Sequence, residues 1–547
     1  MIANKLVESW LDNQSERQYQ PAFVQLLISE GWDVLHNTRH TALEFGKDVI
    51  ARAPDGTLYA IQLKGNPGTR VSKSEAQSLL GQFREGMISF VPDAYQATKN
   101  ERHVFVFCTN GEIDEAAMVL FENVAKHCGE PGVAASKVEY WSRGNLLNRF
   151  TPQIEKVWPS SPEAMSRVLK VYTHEGRDLP DIQLISASIE EAMKDPYKMT
   201  ASRKRAIITA SLLFSEILKR PWRESEDHYS MFLISVLAAV RCIPLADRDD
   251  GTVLIAEYLE VAAEHANSLI SEAIELGYDP KLTWAQRNPL AEVDIMIERR
   301  RLIADAGAFL VLFGVELSPE KRTYLRELLE YSFDPNTLWG QAVIPSMIVR
   351  YWAYRKLDAT CKPDLALISV LRAVISAARR RDSALAANSP PYYRFDEVLY
   401  LTSGGIVGDK SDISRDIALN RSYFAKALFL MVAKRNWKQT CKNLWRVYSN
   451  LLHESVRVPD NDFFSPQHSK EGENSGQQIF DSTWLEQIEE AVRLSDWSLA
   501  KAFEPFPALL AAYLTIVPYR AQPWVIMHLD EQLADTWYGR HHFPPRS

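Results

Sequence analysis

Glu44-Phe-Gly-Lys-Asp48-Val-Ile-Ala-Arg-Ala-Pro-Asp-Gly-Thr-Leu-Tyr-Ala-Ile-Gln62-Leu-Lys64-Gly65 is the stretch that decides the fold. It reads as a β-hairpin. Val49-Ile-Ala opens one strand, and Leu58 to Leu63 is a second run of β-compatible residues. Between them stands Pro54-Asp55-Gly56, a turn signal, because proline fixes φ and glycine tolerates positive φ. Two registers fit. A loop of Asp55-Gly56 pairs Pro54 with Thr57 and sets Asp48 opposite Leu63. A loop of Pro54-Asp55-Gly56 sets Asp48 opposite Gln62. Strand side chains alternate, so Gln62 and Lys64 share one face while Ile61 and Leu63 point into a core on the other. Only the longer loop, or a bulge, brings Asp48 to the face of Gln62 and Lys64, and that register is the one expected.

An acid, a neutral oxygen ligand and a lysine at one end of a hairpin form a chemical kit. Asp48 can hold a hard divalent cation such as Mg²⁺, and the Gln62 amide oxygen can be a weaker, neutral ligand. Lys64 can orient an attacking water or stabilise charge on a phosphate. With Asp48 followed by Gln62-x-Lys64, the stretch resembles the PD-(D/E)xK nuclease superfamily, and within it the Mrr-like restriction-endonuclease branch, where the second acid is commonly Gln. It departs from that pattern at Lys47, where the family has a proline that carries no chemistry. The competing reading is a hairpin with a solvated Asp and a Lys lying along the surface, since an Asp at loose spacing from Gln-x-Lys often arises by chance.

The flanking residues extend the resemblance. Ile2 to Leu11 reads as a short amphipathic helix, and a second helix runs to about Glu30. The start of the second helix is open. Ser15 with Gln18 fits a capping box, which leaves Pro21 inside the helix. There a proline is costly, and Pro21 fits better as the first helical residue after Gln20. Gly31 ends this helix, and Trp32 to His36 is the first strand. In the resembled family the first helix supplies an acid to the metal site. Gln20 stands where Mrr-like enzymes often have Glu. Glu16, four residues earlier and on the same face if the helix extends that far, is therefore the candidate helix acid. Glu44 is the alternative second acid. Either carboxylate reads as well as an ordinary surface acid, and Arg39-His40 reads as a surface loop.

Beyond Lys64, Gly65-Asn-Pro-Gly-Thr-Arg-Val-Ser-Lys-Ser is small, polar and basic. Arg70 and Lys73 on this loop are candidates for following a nucleic-acid backbone; a mobile surface loop is the other reading. Ser72 or Ser74 caps a helix expected to reach about Gly86. Arg102 to Cys108 is an apolar strand closed by Thr109-Asn110-Gly111, a turn to which no chemistry is assigned. Ile113 to His127 is a helix, Val138 to Trp141 a last strand, and Asn145-Leu-Leu follows. This succession also resembles the second half of the Mrr-like fold.

The 547 residues exceed one core, so several domains are expected. Composition is that of a soluble globular chain, with 46% hydrophobic and 24% charged residues. A net charge of −8 argues against a protein that merely coats nucleic acid; a DNA contact needs a local basic groove or bridging metal. The five cysteines are scattered, with no Cys-x-x-Cys pair, which predicts reduced thiols, no zinc site and a cytoplasmic location. The first residues lack a signal-like apolar run, and apolar stretches such as Ala306 to Val315 read as buried helices, so no membrane is expected.

Trp158-Pro-Ser-Ser-Pro162 reads as a linker. After it helical periodicity dominates, as in Arg203–Leu218, Met231–Val240, Val253–Leu276, Pro345–Tyr354, Leu365–Arg379, Tyr423–Val432 and Trp484–Phe503. No fixed-period repeat is found, so an irregular α-solenoid or bundle is expected. Arg299-Arg300-Arg301 and Arg379-Arg380-Arg381 read first as solvated helix ends. Ser403 to Ser411 fails as a phosphate loop because Asp409 separates Gly408 from Lys410. His541-His542 reads as a frayed tail, and Pro459 to Gln477 as a mobile loop.

The expected architecture is an α/β domain over residues 1–158, a mixed sheet flanked by helices, followed by an all-α targeting or interaction region over residues 159–547. The resemblance implies a Mg²⁺-dependent endonuclease, with Mn²⁺ as substitute, acting on duplex DNA in bacterial restriction or phage defence. It implies metal ligation by Asp48, Gln62 and Glu16 or Glu44, with Lys64 catalytic. The helical region is a candidate site for a protein partner. A nuclease-like domain that has lost catalysis and serves as a binding scaffold is the alternative. As a strand-end residue, Asp48 is expected to contribute little to the core.

Overall fold

The computed structural model describes residues 7–8, 11–12, 15–37, 46–155, 162–173, 176, 178–193, 201–246, 250–280, 290–333, 340–379, 388–393, 397–398, 420–456, 463–466, 474–477, 479, 482–493 and 503–534. Glu44, Arg39-His40, Ser403–Ser411, His541-His542 and most of the 158–162 linker lie outside them. The chain divides into two compact units. One takes residues 1–180, 187–225 and 244–261; the other takes 181–186, 226–243 and 262–547.

The first unit is built on a mixed five-stranded sheet. Its strands are β1 (Asp33–Asn37), β2 (Val49–Arg52), β3 (Leu58–Lys64), β5 (His103–Thr109) and β7 (Ala135–Trp141), hydrogen-bonded in the order β1-β2-β3-β5-β7. The first three are antiparallel, and β3-β5-β7 run parallel. Two short strands, β4 (Arg70–Val71) and β6 (Glu112–Ile113), pair beside it. Around the sheet lie α1 (Glu16–Ser29), α2 (Lys73–Ile88), α3 (Glu115–Ala125) and α4 (Arg143–Glu155).

The hairpin takes the longer loop. Arg52 pairs with Leu58 and Val49 with Ile61. The Ala53 N–H donates to the Thr57 carbonyl, the Gly56 N–H donates to the Ala53 carbonyl, and Gly56 has φ +86°. That left-handed position is the one a glycine takes without a steric cost. The Asp55 carboxylate also accepts from the Thr57 N–H at 2.9 Å.

Central strands buried on both faces read as continuous apolar runs, and β5 is one. One face of the sheet carries Val49, Ala51, Ile61, Leu63, Val106 and Cys108 against Tyr19, Phe23 and Leu27 of α1. The other carries Ile50, Leu58, Ala60, Phe105 and Phe107 against Phe83 and Met87 of α2 and Phe121 of α3. Helix α1 starts at Glu16, as the Ser15 reading has it, and Pro21 lies inside it. Ser72 caps α2, accepting from the Glu75 N–H. The unit runs on past residue 158. Leu213 and Ile217 of the helix Ala201–Leu218 join the α1 core, and the Tyr172 hydroxyl donates to the Ile217 carbonyl at 2.9 Å.

The second unit is helical but for a small sheet. Its helices include His228–Cys242, Leu290–Phe313, Val343–Leu357, Lys362–Ala377, Ala425–Lys434, Pro507–Ile516 and Pro523–Ala534. Strands Arg421–Ser422, Leu452–Val456 and Asn474–Gln477 form a three-stranded sheet. Asn474–Gln477 thus belongs to a paired strand, where a mobile loop was expected; it bonds along Leu452–Val456. Asp530 and Asp305, buried inside the unit, are paired, as desolvation demands. Asp530, fully buried, accepts from Trp352 and from both terminal nitrogens of Arg435. Asp305 accepts from Ser346 and Arg350. In the basic run, Arg301 pairs with Glu298 and Asp305, and Arg300 donates to the Pro280 carbonyl. These two arginines are absorbed by the fold. The stretch His228–Leu245 is long and apolar enough to cross a membrane, which exceeds the apolar lengths read from the sequence; 78% of it is buried inside the protein.

Candidate active site at the end of the hairpin

Lys64 ends β3, and Gly65 follows it directly. A Cβ on Gly65 would lie 2.4 Å from the Glu16 backbone nitrogen. Only a residue without a side chain lets the first turn of α1 come this close to the strand end. The result is a contact between two elements distant in sequence: Lys64 Nζ lies 3.5 Å from Glu16 Oε2, both side chains about a quarter exposed or less. Tyr19, one turn along α1 and fully buried, donates its hydroxyl to the Lys64 carbonyl at 3.2 Å. The phenol is held well above its usual pKa by burial first, with the Glu16 and Asp48 carboxylates nearby adding to the effect. Gln20, one turn from Glu16 along α1, donates to Asn37 Oδ1 of β1 at 2.7 Å.

Asp48 meets β3 in an unexpected way. Counting on from Val49 and Ile61 sets it across from Gln62, but the ladder stops at Val49. The Asp48 N–H donates to the Ile61 carbonyl, and its Oδ2 accepts from the Leu63 N–H at 2.6 Å. The carboxylate therefore lies against the backbone of the residue between Gln62 and Lys64, instead of standing out on their face. Only 7% of Asp48 is exposed. The expectation that it contributes little to the core is corrected on this point: removing the carboxylate strands a buried N–H, which costs about 1–3 kcal/mol. Gly46, two residues earlier at φ +69°, lets this segment pass over α2, where a Cβ would meet the Gln82 carbonyl at 2.6 Å.

Gln62 is 1% exposed. Its Nε2 donates to Gln82 Oε1 of α2 at 3.4 Å. Its Oε1 is buried without a hydrogen-bond partner. A buried acceptor left unsatisfied needs a reason, and a cation is one. This atom is the observation on which a divalent ion fits. The donor set of Gln62 Oε1, the Asp48 carboxylate and the Glu16 carboxylate, all oxygen, suits Mg²⁺ or Mn²⁺. Among the described residues no group of three or more His, Cys, Asp or Glu side chains gathers, so such a site rests on two acids and one amide.

The loop after Lys64 is tied down. The Asn66 N–H donates to Asn110 Oδ1, its side-chain amide donates to Glu75, and its Oδ1 accepts from the Thr109 hydroxyl. Asn110 donates in turn to the Leu11 carbonyl at 2.7 Å. Gly111 passes so near that a Cβ would lie 2.6 Å from Asn66 Cβ. Thr109-Asn110-Gly111 thus holds the loop in one shape, a role the sequence reading did not give it. Arg70 is exposed and 3.5 Å from Asp114, and Lys73 is exposed at the start of α2. Tyr19, Gly46, Gly65, Asn66 and Gln82 were not singled out from sequence. The glycine directly after Lys64 was the one available signal, since a glycine at a strand end marks a close approach of backbone.

A scan against protein-family models, and searches of curated proteins and of solved structures, find no match to this chain.

Proposed function

We propose that the first unit is a metal-dependent phosphodiesterase acting on nucleic acid, a nuclease of the PD-(D/E)xK kind. The observation that supports this reading is the meeting of Lys64 with Glu16 at the end of β3, the strand that also carries the buried, unpartnered Gln62 oxygen and on whose Leu63 N–H Asp48 docks. Asp48, Gln62 and Glu16 would hold the ion. When bound, Mg²⁺ would supply charge to polarise a phosphate and lower the pKa of a water. Lys64 would balance negative charge developing on the phosphate. Tyr19 would hold the Lys64 backbone in place, and Arg70 and Lys73 would meet the nucleic-acid backbone. Duplex DNA is the substrate favoured by the resemblance of Asp48, Gln62 and Lys64 to the Mrr-like branch, and restriction or phage defence the role.

One observation favours a second reading, a scaffold without catalysis. Lys64 is already paired with Glu16, and the Asp48 carboxylate already serves the Leu63 N–H. The deciding experiment incubates the full chain with plasmid, linear and single-stranded DNA and with RNA, with Mg²⁺, Mn²⁺, Ca²⁺ or EDTA. Cleavage in Mg²⁺ or Mn²⁺, none in EDTA, and binding without turnover in Ca²⁺ are expected. Asp48→Asn keeps an acceptor for the Leu63 N–H but loses the charge, so it should fold and not cut. Cleavage by Asp48→Asn in EDTA at the wild-type rate rejects the proposal.

A further inference from the structure

A lysine that is to meet a phosphate needs its charge free at that moment, and the charge of Lys64 is held by Glu16. Backbone brings the two together. Gly65 admits the first turn of α1 so closely that a Cβ there would lie 2.4 Å from the Glu16 nitrogen and 3.1 Å from its Cα. The Tyr19 hydroxyl, donating to the Lys64 carbonyl at 3.2 Å, ties the strand end to the same helix. The ion pair itself is loose. Its N···O distance is 3.5 Å, and the Lys64 and Glu16 side chains are 20% and 26% exposed, within reach of a ligand in solvent. An anchored main chain with a loose, solvent-reached pair makes a contact that can open and re-form in one place.

We infer that the Glu16 carboxylate stands in for phosphate at Lys64: entering nucleic acid takes the ammonium from Glu16, and the pair closes again when the phosphate leaves. The inference rests on the nucleic-acid reading of this site and on no bound metal. A phosphate oxygen offers the ammonium the same chemistry as a carboxylate oxygen, an anionic acceptor for its N–H groups. Partly exposed ion pairs contribute little, so the exchange is easily made. Its effect is to lower nucleic-acid affinity by the strength of the pair, about two- to fivefold.

The test is the binding of a fluorescent duplex DNA oligonucleotide to the full chain in EDTA, where neither metal nor cleavage enters. Wild type, Glu16→Gln, Lys64→Met and the double variant form the cycle. Both substitutions keep the length of the side chain and leave the Lys64 carbonyl to Tyr19. Lys64→Met should weaken binding and reduce the slope of log affinity against log salt by about 0.9, the value of one lost phosphate contact. Glu16→Gln relieves repulsion of phosphate in either background. Only with Lys64 present does it also remove a competitor, so its gain in affinity should be about two- to fivefold larger there than in Lys64→Met. Equal gains in the two backgrounds would mean that the ion pair persists in the complex, and overturn the inference while leaving the nucleic-acid reading standing. An unchanged affinity and slope in Lys64→Met overturn it as well. Absence of DNA binding by wild type and by Glu16→Gln alike would instead remove the nucleic-acid reading, and the inference with it.

Discussion

At the level of single residues, the proposed site would divide the hairpin's work between ligand, charge and packing. Lys64→Met keeps the stem of the side chain and removes its charge, and losing one such electrostatic group typically lowers a rate by about 10²–10³. Gln62→Leu fills the same space without an oxygen and should weaken metal binding. Gln62→Glu should tighten it and retain cleavage. If Gln62→Leu and Lys64→Met both cut at the wild-type rate, these residues are structural. His103 offers a test independent of catalysis. It is fully buried, its Nε2 against the Gly86 carbonyl, and burial with the Lys47 charge lowers its pKa from 6.5 to about 4. Between those values the unfolded chain binds a proton that the folded chain does not. Stability is therefore lost as pH falls from about 6.5 to 4, by roughly 3 kcal/mol for this one group. Denaturation midpoints measured across this window should show the slope, and His103→Gln should flatten it.

At the level of elements, the sequence carried the strands better than the junctions. The Pro54-Asp55-Gly56 loop was legible because its chemistry is local, and so was β5, whose seven residues are all buried. The choice of helix acid was not legible. It depends on where α1 starts and on how close its first turn comes to β3, and no short-range pattern reports a contact between Glu16 and Gly65. Pro21 argued for a later start, yet tertiary packing of Tyr19 and Phe23 holds the earlier turn in helix. The docking of Asp48 on the Leu63 N–H was equally invisible, because alternation describes regular ladders and this one ends at Val49. Gly65→Ala tests the junction. The added methyl collides with backbone, and overpacking of this kind costs about 1–3 kcal/mol. It should also part Glu16 from Lys64 and reduce cleavage, while Gly56→Asn at the open hairpin tip, strained by its φ of +86°, should lower stability but leave cleavage near wild type.

For the whole molecule, the shift from hairpin signals to helical periodicity announced a sheet followed by helices, and that order stands. The first compact unit takes in helices that the Trp158 punctuation would assign to the second region, because a linker signal says nothing about which core a later helix will cover. Leu213 and Ile217 are each 2% exposed in the α1 core. A fragment ending at residue 158 would lose them and present apolar surface to water. It should be less soluble and less stable than a fragment ending at residue 261. Equal denaturation midpoints for the two fragments would show that these helices do not stabilise the sheet.

Because the unit holding the hairpin is assembled from three separate stretches of chain, it has a schedule as well as a shape. During synthesis the strand bearing Trp141 emerges well before the helix bearing Ile217, and the helix from Asp250 emerges later still. At about 5–20 residues per second, the 75 residues between Trp141 and Ile217 take seconds to make. Throughout that interval α1 and α4 lack part of their cover, and the first unit would be complete only after most of its first 260 residues had left the ribosome.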